Sequence, residues 1–283
     1  MNPASLHPEY PHSIIRVRSE RELVLRRCST LEELESCVAL QGAVWGYEDR
    51  DLIPRRIFVV ARHIGGHVVG AFDAERNVLV GFAMALPGIK LQDQAEDGPP
   101  SAYLHSHMLA VAPEWRNEGL GQHLKRYQRE IALAQGLTHM EWSFDPLEIK
   151  NAYLNLHRLG ARVRTYLPDF YGKNSSALQA GLPTDRLIAE WSLDSPRVEA
   201  ILSGEARPKE PITEQIFVPY AAIEAKQRGE TGHALAVQQA NAEQFRQAFA
   251  AGLSVVDFKI DAEGNGIYEL SPSSFLKRDS DED

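Results

Sequence analysis

Thiols are scarce in this chain. Cys28 and Cys37 are the two cysteines in 283 residues. With no partner motif around them, neither a disulfide framework nor a zinc knuckle can be assembled. Long apolar runs are missing too, since none approaches the roughly 18 residues needed to span a bilayer. The first twenty residues hold Pro3, Pro8, Pro11, Arg16 and Arg18 in place of an apolar stretch, so no signal peptide is expected. A basic excess is lacking as well: 30 Lys and Arg stand against 39 Asp and Glu, a formal charge of −9. That demotes general nucleic-acid binding. His7, His12, His63, His123, His139, His157 and His233 show no metal-ligand spacing with acidic or cysteine partners, so no metal is assigned. These absences predict a reduced, cytoplasmic protein without nucleic-acid or membrane partners. What is present is ordinary globular material, 43% apolar and 24% charged. It suffices for one large domain, or one domain and an extension.

The periodicity predicts a series of elements. Residues 1–20 read as a poorly ordered arm. A short strand starts at Leu23, and Thr30-Leu-Glu-Glu33 is a capping box for a helix through Trp45. Pro54 suits the start of a second helix through Ile64. Strands follow at His67–Phe72, Val78–Leu86 and Ala102–Val111, with a polar loop over Gln92–Pro100. Leu120, Leu124, Tyr127, Ile131 and Ala134 make one helical stripe stopped by Gly136. Thr138–Asp145 alternates, with Met140, Trp142 and Phe144 on one face and His139, Glu141, Ser143 and Asp145 on the other. A short helix runs to Gly160, with Ile149, Ala152, Tyr153, Leu156 and Leu159 on its apolar face. Strands at Ala161–Leu167 and Leu187–Leu193 complete the order. The fold class is α/β, an α+β mixed β-sheet flanked by helices and not doubly wound. The domains expected are the arm at 1–20, a main domain at 21–195 and a C-terminal α/β extension at 196–283. The extension contains a Pro/Lys/Glu-rich connector (Arg207–Pro211), a helix over Ala234–Ala251, a β-hairpin (Ser254–Ile260 with Ile267–Leu270) and an acidic tail.

The most informative segment is Val111-Ala-Pro113-Glu-Trp-Arg116-Asn-Glu-Gly119-Leu-Gly121. A strand ends, two glycines permit a tight turn, and a helix begins. Free N–H groups at that helix start, added to the macrodipole, make an anion site suited to a diphosphate. Gly119 and Gly121 allow close approach to the backbone, and Arg116 adds a full positive charge. This constellation resembles the acyl-CoA-binding motif of the GNAT acyltransferase superfamily, Arg/Gln-x-x-Gly-x-Gly/Ala. Blocks such as Trp45-Gly-Tyr, Gly65-Gly-His-Val-Val-Gly-Ala-Phe-Asp73, His105-Ser-His-Met-Leu-Ala-Val111, Trp142-Ser-Phe-Asp-Pro-Leu147, Asn151-Ala-Tyr-Leu-Asn155 and Leu159-Gly-Ala extend it over roughly residues 22–195. They look like a bacterial subgroup of GNAT enzymes with a C-terminal extension.

The resemblance implies a GNAT-like sheet with splayed strands and transfer of an acetyl, succinyl or other acyl group from CoA to a primary amine. It implies that the pantetheine arm pairs with main chain near Leu109 and Val111, and that amides of Arg116, Asn117, Glu118, Gly119, Leu120 and Gly121 hold the pyrophosphate. Asn151 and Asn155, on a stripe with Arg158, are candidates for the pantetheine amides. A base must deprotonate the amine. His107 and His105 share a strand face and are candidates, as are Glu141 and Asp145, although Asp145 before Pro146 also suits a helix cap. Many GNAT enzymes place an acidic tyrosine four residues before the helix-closing Gly. Here that position is Leu156, and Tyr153 lies one turn earlier on the apolar stripe. Acceptor candidates are Trp45, Tyr47 and Tyr171, the Gln92–Pro100 and Asp169–Gly172 loops, and Arg55, Arg56 and Arg164 as carboxylate partners. A small amino acid fits these residue types. A homodimer is compatible with the sequence. A non-catalytic acyl-CoA sensor and a protein N-acetyltransferase are the alternative readings.

Overall fold

The computed structural model describes residues 12–90, 100–173 and 175–273. Strands and helices alternate along the chain in a mixed α/β fold. Two compact units emerge: residues 1–44 with 52–137, and residues 45–51 with 138–283. The chain thus passes from the first unit to the second after Leu137, and also visits the second over residues 45–51. Most of the Gln92–Pro100 loop lies outside the described residues, as does the acidic tail.

The first unit carries strands β1 (Ser13–Arg16), β2 (Glu22–Arg27), β3 (His67–Asp73), β4 (Leu79–Lys90) and β5 (Ser101–Val111). Each pairs antiparallel with the next. The expected arm is therefore partly a strand: Ile14 opposes Val24, and Val17 is buried behind them. Helix α1 (Leu31–Trp45) opens with the predicted capping box, in which Thr30 Oγ1 accepts from the Glu33 N–H at 3.2 Å. The Glu33 carboxylate answers on the amides of Ser29 and Thr30. Pro54 is the N-cap of α2 (Arg55–His63). Helix α3 (Leu120–Ala134) buries Leu120, Leu124, Tyr127 and Ile131 against Leu23, Leu25, Val69, Ala71 and Ala83. Ala134, placed on that stripe by periodicity, is exposed, and Ala132 is buried in its stead. Residues of opposite parity on β3 and β4 face the other way, where Phe82 meets Phe58 of α2 edge-on at 5.7 Å. Cys28 and Cys37 come together there, with sulfurs 3.9 Å apart and fully buried.

The second unit carries β6 (His139–Phe144), β7 (Arg162–Leu167), β8 (Arg186–Ser192), β9 (Glu214–Val218), β10 (Leu253–Ile260) and β11 (Gly266–Pro272). Their antiparallel order is β6-β8-β7-β10-β11-β9. The predicted C-terminal hairpin is present and extends the sheet of this unit through Val255 opposite Val163. Helices α4 (Ile149–Ala152), α5 (Pro196–Ser203), α6 (Tyr220–Gln227) and α7 (Thr231–Ala250) belong to it. Trp191 anchors its core, donating its indole N–H to the Leu159 carbonyl at 2.7 Å and meeting Trp142 edge-on. Phe245 of α7 packs on Tyr166 and Tyr268. The connector at 207–211 is stapled down, since Glu210 bridges Arg162 at 2.7 Å and Arg197 at 2.6 Å. Among the described residues no helix is long and apolar enough to cross a membrane.

Candidate functional site

In the first unit, β5 alternates strictly. Leu104, Ser106, Met108 and Ala110 are buried, while His105, His107, Leu109 and Val111 are half-buried. Met84 pairs with Met108 and Ala85 with Ser106, so His107 is an extra residue on β5. Such a bulge leaves one residue out of the ladder and bends the strand. His105 and His107 sit side by side, ring centroids 5.9 Å apart. Burial lowers the His107 pKa, so the ring is neutral and able to accept a proton near pH 7.

The bulge is tied from behind. Lys125 Nζ donates to Ser106 Oγ at 2.8 Å, and that hydroxyl donates to Gln128 Oε1 at 2.8 Å. Lys125 and Gln128 are buried on α3, and burial holds the Lys125 pKa well below its ordinary value. This link joins the helix that follows the diglycine turn to the strand that precedes it. Periodicity reads both residues as surface polar positions, so it gave no signal of the link.

Beyond β5 the chain makes a single 3-10 turn (Pro113–Trp115) and then reverses through Asn117 (φ 63°) and Gly119 (φ 85°) into α3. The amides of Glu118, Gly119, Leu120 and Gly121 have no partner among the described residues. A Cβ built on Gly119 meets nothing within 4 Å. Arg116 is exposed and its guanidinium is unpaired among the described residues. Free donors, an open approach, a helix start and one cation make an anion cradle. The other side of this turn is braced by the β1–β2 connection. Arg18 donates to the Asn117 carbonyl at 3.1 Å, and the Ser19 amide donates to the Glu118 carboxylate at 2.9 Å. Arg21 lies over the Trp115 ring at 3.5 Å. Glu118, an acid inside an anion motif, is held by Ser19 and Arg21, and the Ser19 amide helps keep its pKa below the usual carboxylate range.

In the second unit, Trp45 and Tyr47 stack at 5.6 Å. The following residues dock on the 169–186 loop: the Glu48 amide donates to Ser175 Oγ at 2.9 Å, and the Ser175 amide donates to the Asp51 carboxylate at 2.8 Å. Tyr171 OH lies 2.8 Å from Ser143 Oγ of β6. Its amide donates to Thr184 Oγ1. Burial raises the Tyr47 pKa, partly offset by the nearby Arg186 cation. The three aromatic acceptor candidates thus lie on one wall of this unit, with Arg186, which sequence reasoning did not single out.

Several expectations need correction. Asp145 is committed elsewhere: it accepts from the Leu147 amide at 2.8 Å and from the buried Lys226 ammonium at 3.1 Å. Asp145 thus closes the turn before α4, whose N-cap is Glu148, and its carboxylate is shared with Lys226. Asn155 is 1% exposed. The helix loosens to a π-turn over Tyr153–Arg158, which shifts the faces and leaves only Asn151 of the pair on the surface. Tyr153 stacks on His157 at 4.7 Å, and Leu156 is fully buried. Arg55 pairs with Glu35 at 3.1 Å and Arg164 with Glu190 at 2.5 Å, so neither is spare for a carboxylate. Glu141 is held by His139 at 2.9 Å. Among the described residues no group of three or more His, Cys, Asp or Glu could hold a metal ion.

Residues 30–160 match the model of the acetyltransferase (GNAT) family. No curated protein matches the chain. Among solved structures, a protein of the GNAT family from Desulfovibrio desulfuricans is 16% identical, with a TM-score of 0.46 over 60% of this chain and 99% of that one. A Salmonella typhimurium protein solved with its cofactor acetyl-CoA is 15% identical, TM-score 0.47, over 61% and 94%. The Escherichia coli ribosomal-protein-S18-alanine N-acetyltransferase is 12% identical, TM-score 0.44, over 60% and 94%.

Proposed function

We propose, from the match of residues 30–160 to the acetyltransferase (GNAT) family model, that the chain transfers an acyl group from acyl-CoA directly to a small primary amine. The single observation that carries the reading is the set of unclaimed amides from Glu118 to Gly121, over an open Gly119 and beside an unpaired Arg116. Four unclaimed donors around an open glycine, with an exposed cation in the same turn, suit the two phosphates of CoA. Glu118 does not repel them, because its carboxylate is turned onto Ser19 and Arg21.

Acyl-CoA, when bound, supplies an activated thioester carbonyl. The chain's own groups do the rest. The backbone at the His107 bulge, out of register with β4, offers an N–H to the carbonyl oxygen, where negative charge grows as the amine adds. His107, neutral because it is buried, takes the proton that the amine must lose, with His105 beside it. The tetrahedral adduct then expels the CoA thiolate, which takes its proton from water, since Leu156 offers none. Lys125, through Ser106, keeps the bulge in place. Asn151 is available to the pantetheine amides. The sequence resemblance assigns Trp45, Tyr47 and Tyr171 to the acceptor.

Thiol release from acetyl-CoA and succinyl-CoA, read with a chromogenic disulfide against a panel of primary amines, tests this. Amine-dependent release is expected. Background rates with every amine, despite saturable CoA binding, would favour a CoA-binding sensor.

A further inference from the structure

Among the residues whose amides form the cradle, Glu118 is the acid, and its side chain is the one that can close it. Its own N–H is unclaimed among the described residues, as are those of Gly119, Leu120 and Gly121. An anion bonded to that N–H lies about 3 Å from the nitrogen. A carboxylate carried two methylenes from the same Cα can swing into that space. Turned that way, Glu118 would accept the open amides itself, as acids do at a helix start. It would also repel an incoming diphosphate.

The carboxylate is turned away instead, by groups that stand 99 residues earlier in the chain. The Ser19 amide donates to Glu118 Oε2 at 2.9 Å, and Arg21 Nη2 lies 3.6 Å from Oε1. Both come from the corner between β1 and β2. The Val17 amide donates there to the Arg21 carbonyl at 3.0 Å, and the Glu20 amide donates to the Val17 carbonyl at 2.9 Å. Arg21 is itself fixed: Nε donates to Ser19 Oγ at 3.0 Å and Nη2 to the Glu114 carbonyl at 3.4 Å. Its guanidinium rests 3.5 Å from the ring centroid of Trp115, which is buried. Arg18 adds a bond to the Asn117 carbonyl at 3.1 Å, where the chain takes φ 63°. A surface ion pair standing alone contributes little. This one is a socket whose cation and amide are placed beforehand, and all of its members belong to the first unit.

We propose that the β1–β2 corner is a latch on the acyl-CoA site: Arg21 and the Ser19 amide are positioning groups that hold the Glu118 carboxylate out of the cradle and keep its amides open for the diphosphate. This rests on the acyl-CoA reading and deepens it by naming what controls access to the same turn. With the latch released, a diphosphate meets the protein's own anion in the place it needs.

The test is calorimetric titration of CoA into wild type, Arg21→Gln, Glu118→Gln and the double variant, all at one ionic strength because salt screens the repulsion. Arg21→Gln should bind at least fivefold more weakly than wild type. Glu118→Gln should tighten binding at least fivefold more in the Arg21→Gln background than in the wild-type one, since only a released carboxylate blocks the amides. That non-additivity is what a latch requires and a merely structural role does not produce. Thermal melts verify the fold of each protein. Should Arg21→Gln not fold, Arg21→Lys replaces it, with a twofold difference between backgrounds expected, because lysine keeps the charge but loses the planar fork. If the Arg21 variant binds CoA as tightly as wild type, the latch is overturned. If it binds weakly and Glu118→Gln has the same effect in both backgrounds, Arg21 acts through its own charge or through Trp115, and the latch is likewise overturned. If wild type does not bind CoA, the cradle assignment fails and takes this one with it.

Discussion

His67 gives the chain an acid sensitivity that can be worked out in advance. It begins β3 and is fully buried, and both ring nitrogens lack a hydrogen-bond partner among the described residues. Burial pulls its pKa down to about 3, and the nearby Arg27 and Lys125 push the same way. The sign follows from proton counting. The unfolded chain binds a proton at this site near pH 6.5, while the folded chain refuses it down to about pH 3. Stability is therefore intact above the unfolded value and is lost as pH falls through that window. Each pH unit removes about 1.4 kcal/mol, so by pH 5 this one histidine has cost about 2 kcal/mol. That is a large fraction of a typical folding free energy.

His67→Leu removes the titration at similar side-chain volume. At pH 7.5 the variant should be at least as stable as wild type, because two buried unpaired nitrogens are gone. Between pH 6.5 and 4.5 its urea midpoint should fall less steeply, by about one proton. Urea titrations followed by tryptophan emission would measure this, with Trp115 as the reporter inside the first unit. Equal pH slopes in the two proteins would refute the reasoning and mean that His67 finds a partner or water when protonated.

Asp145→Asn should act on stability and not on chemistry. It leaves the Lys226 ammonium, raised in pKa by Asp145 and Glu148 against its burial, with one acid where it had two. The cost should be about 2–3 kcal/mol, and kcat of the folded protein should change less than twofold; a loss of several hundredfold would restore Asp145 as a base. For His107→Ala, turnover should drop 10²-fold or more with CoA affinity retained. In wild type the acid limb of kcat/KM should lie below pH 6.5, because burial lowers the His107 pKa. An acid limb at or above that value, or one unmoved by the substitution, would assign the base elsewhere.

What was legible in the sequence followed from local rules. The capping box at Thr30–Glu33, the alternation of β6 and the strand–diglycine–helix turn all depend on neighbours within a few residues, and all three are found. What was hidden depends on long-range placement. Lys226 stands 81 residues from Asp145, so no spacing could disclose that the candidate base was already bonded. Lys125 and Gln128 look like the solvated side of an amphipathic helix, yet they reach Ser106 on the buried face of β5. The bulge at His107 arises from a mismatch between two strands and leaves no mark on either alone. The π-turn moved Asn155 inward for a similar reason, since one extra residue per turn rotates every later side chain. β9, α5 and α6 went unread because they are short and weakly periodic, and they are held by the elements they pack on. Charge alone left Arg55 and Arg164 eligible for a carboxylate, and only the positions of Glu35 and Glu190 show them already paired.

The measurement closest to the centre of the account is calorimetric titration of acetyl-CoA into wild type and Gly119→Val. Valine at φ 85° adds local strain of about 1–2 kcal/mol, and its side chain fills the open side of the turn without striking the protein. Wild type should bind saturably, and the variant should bind at least tenfold more weakly while keeping its circular dichroism. Equal affinity in the two proteins would contradict the assignment of the diphosphate to this turn, and with it the acyl-CoA chemistry built upon it.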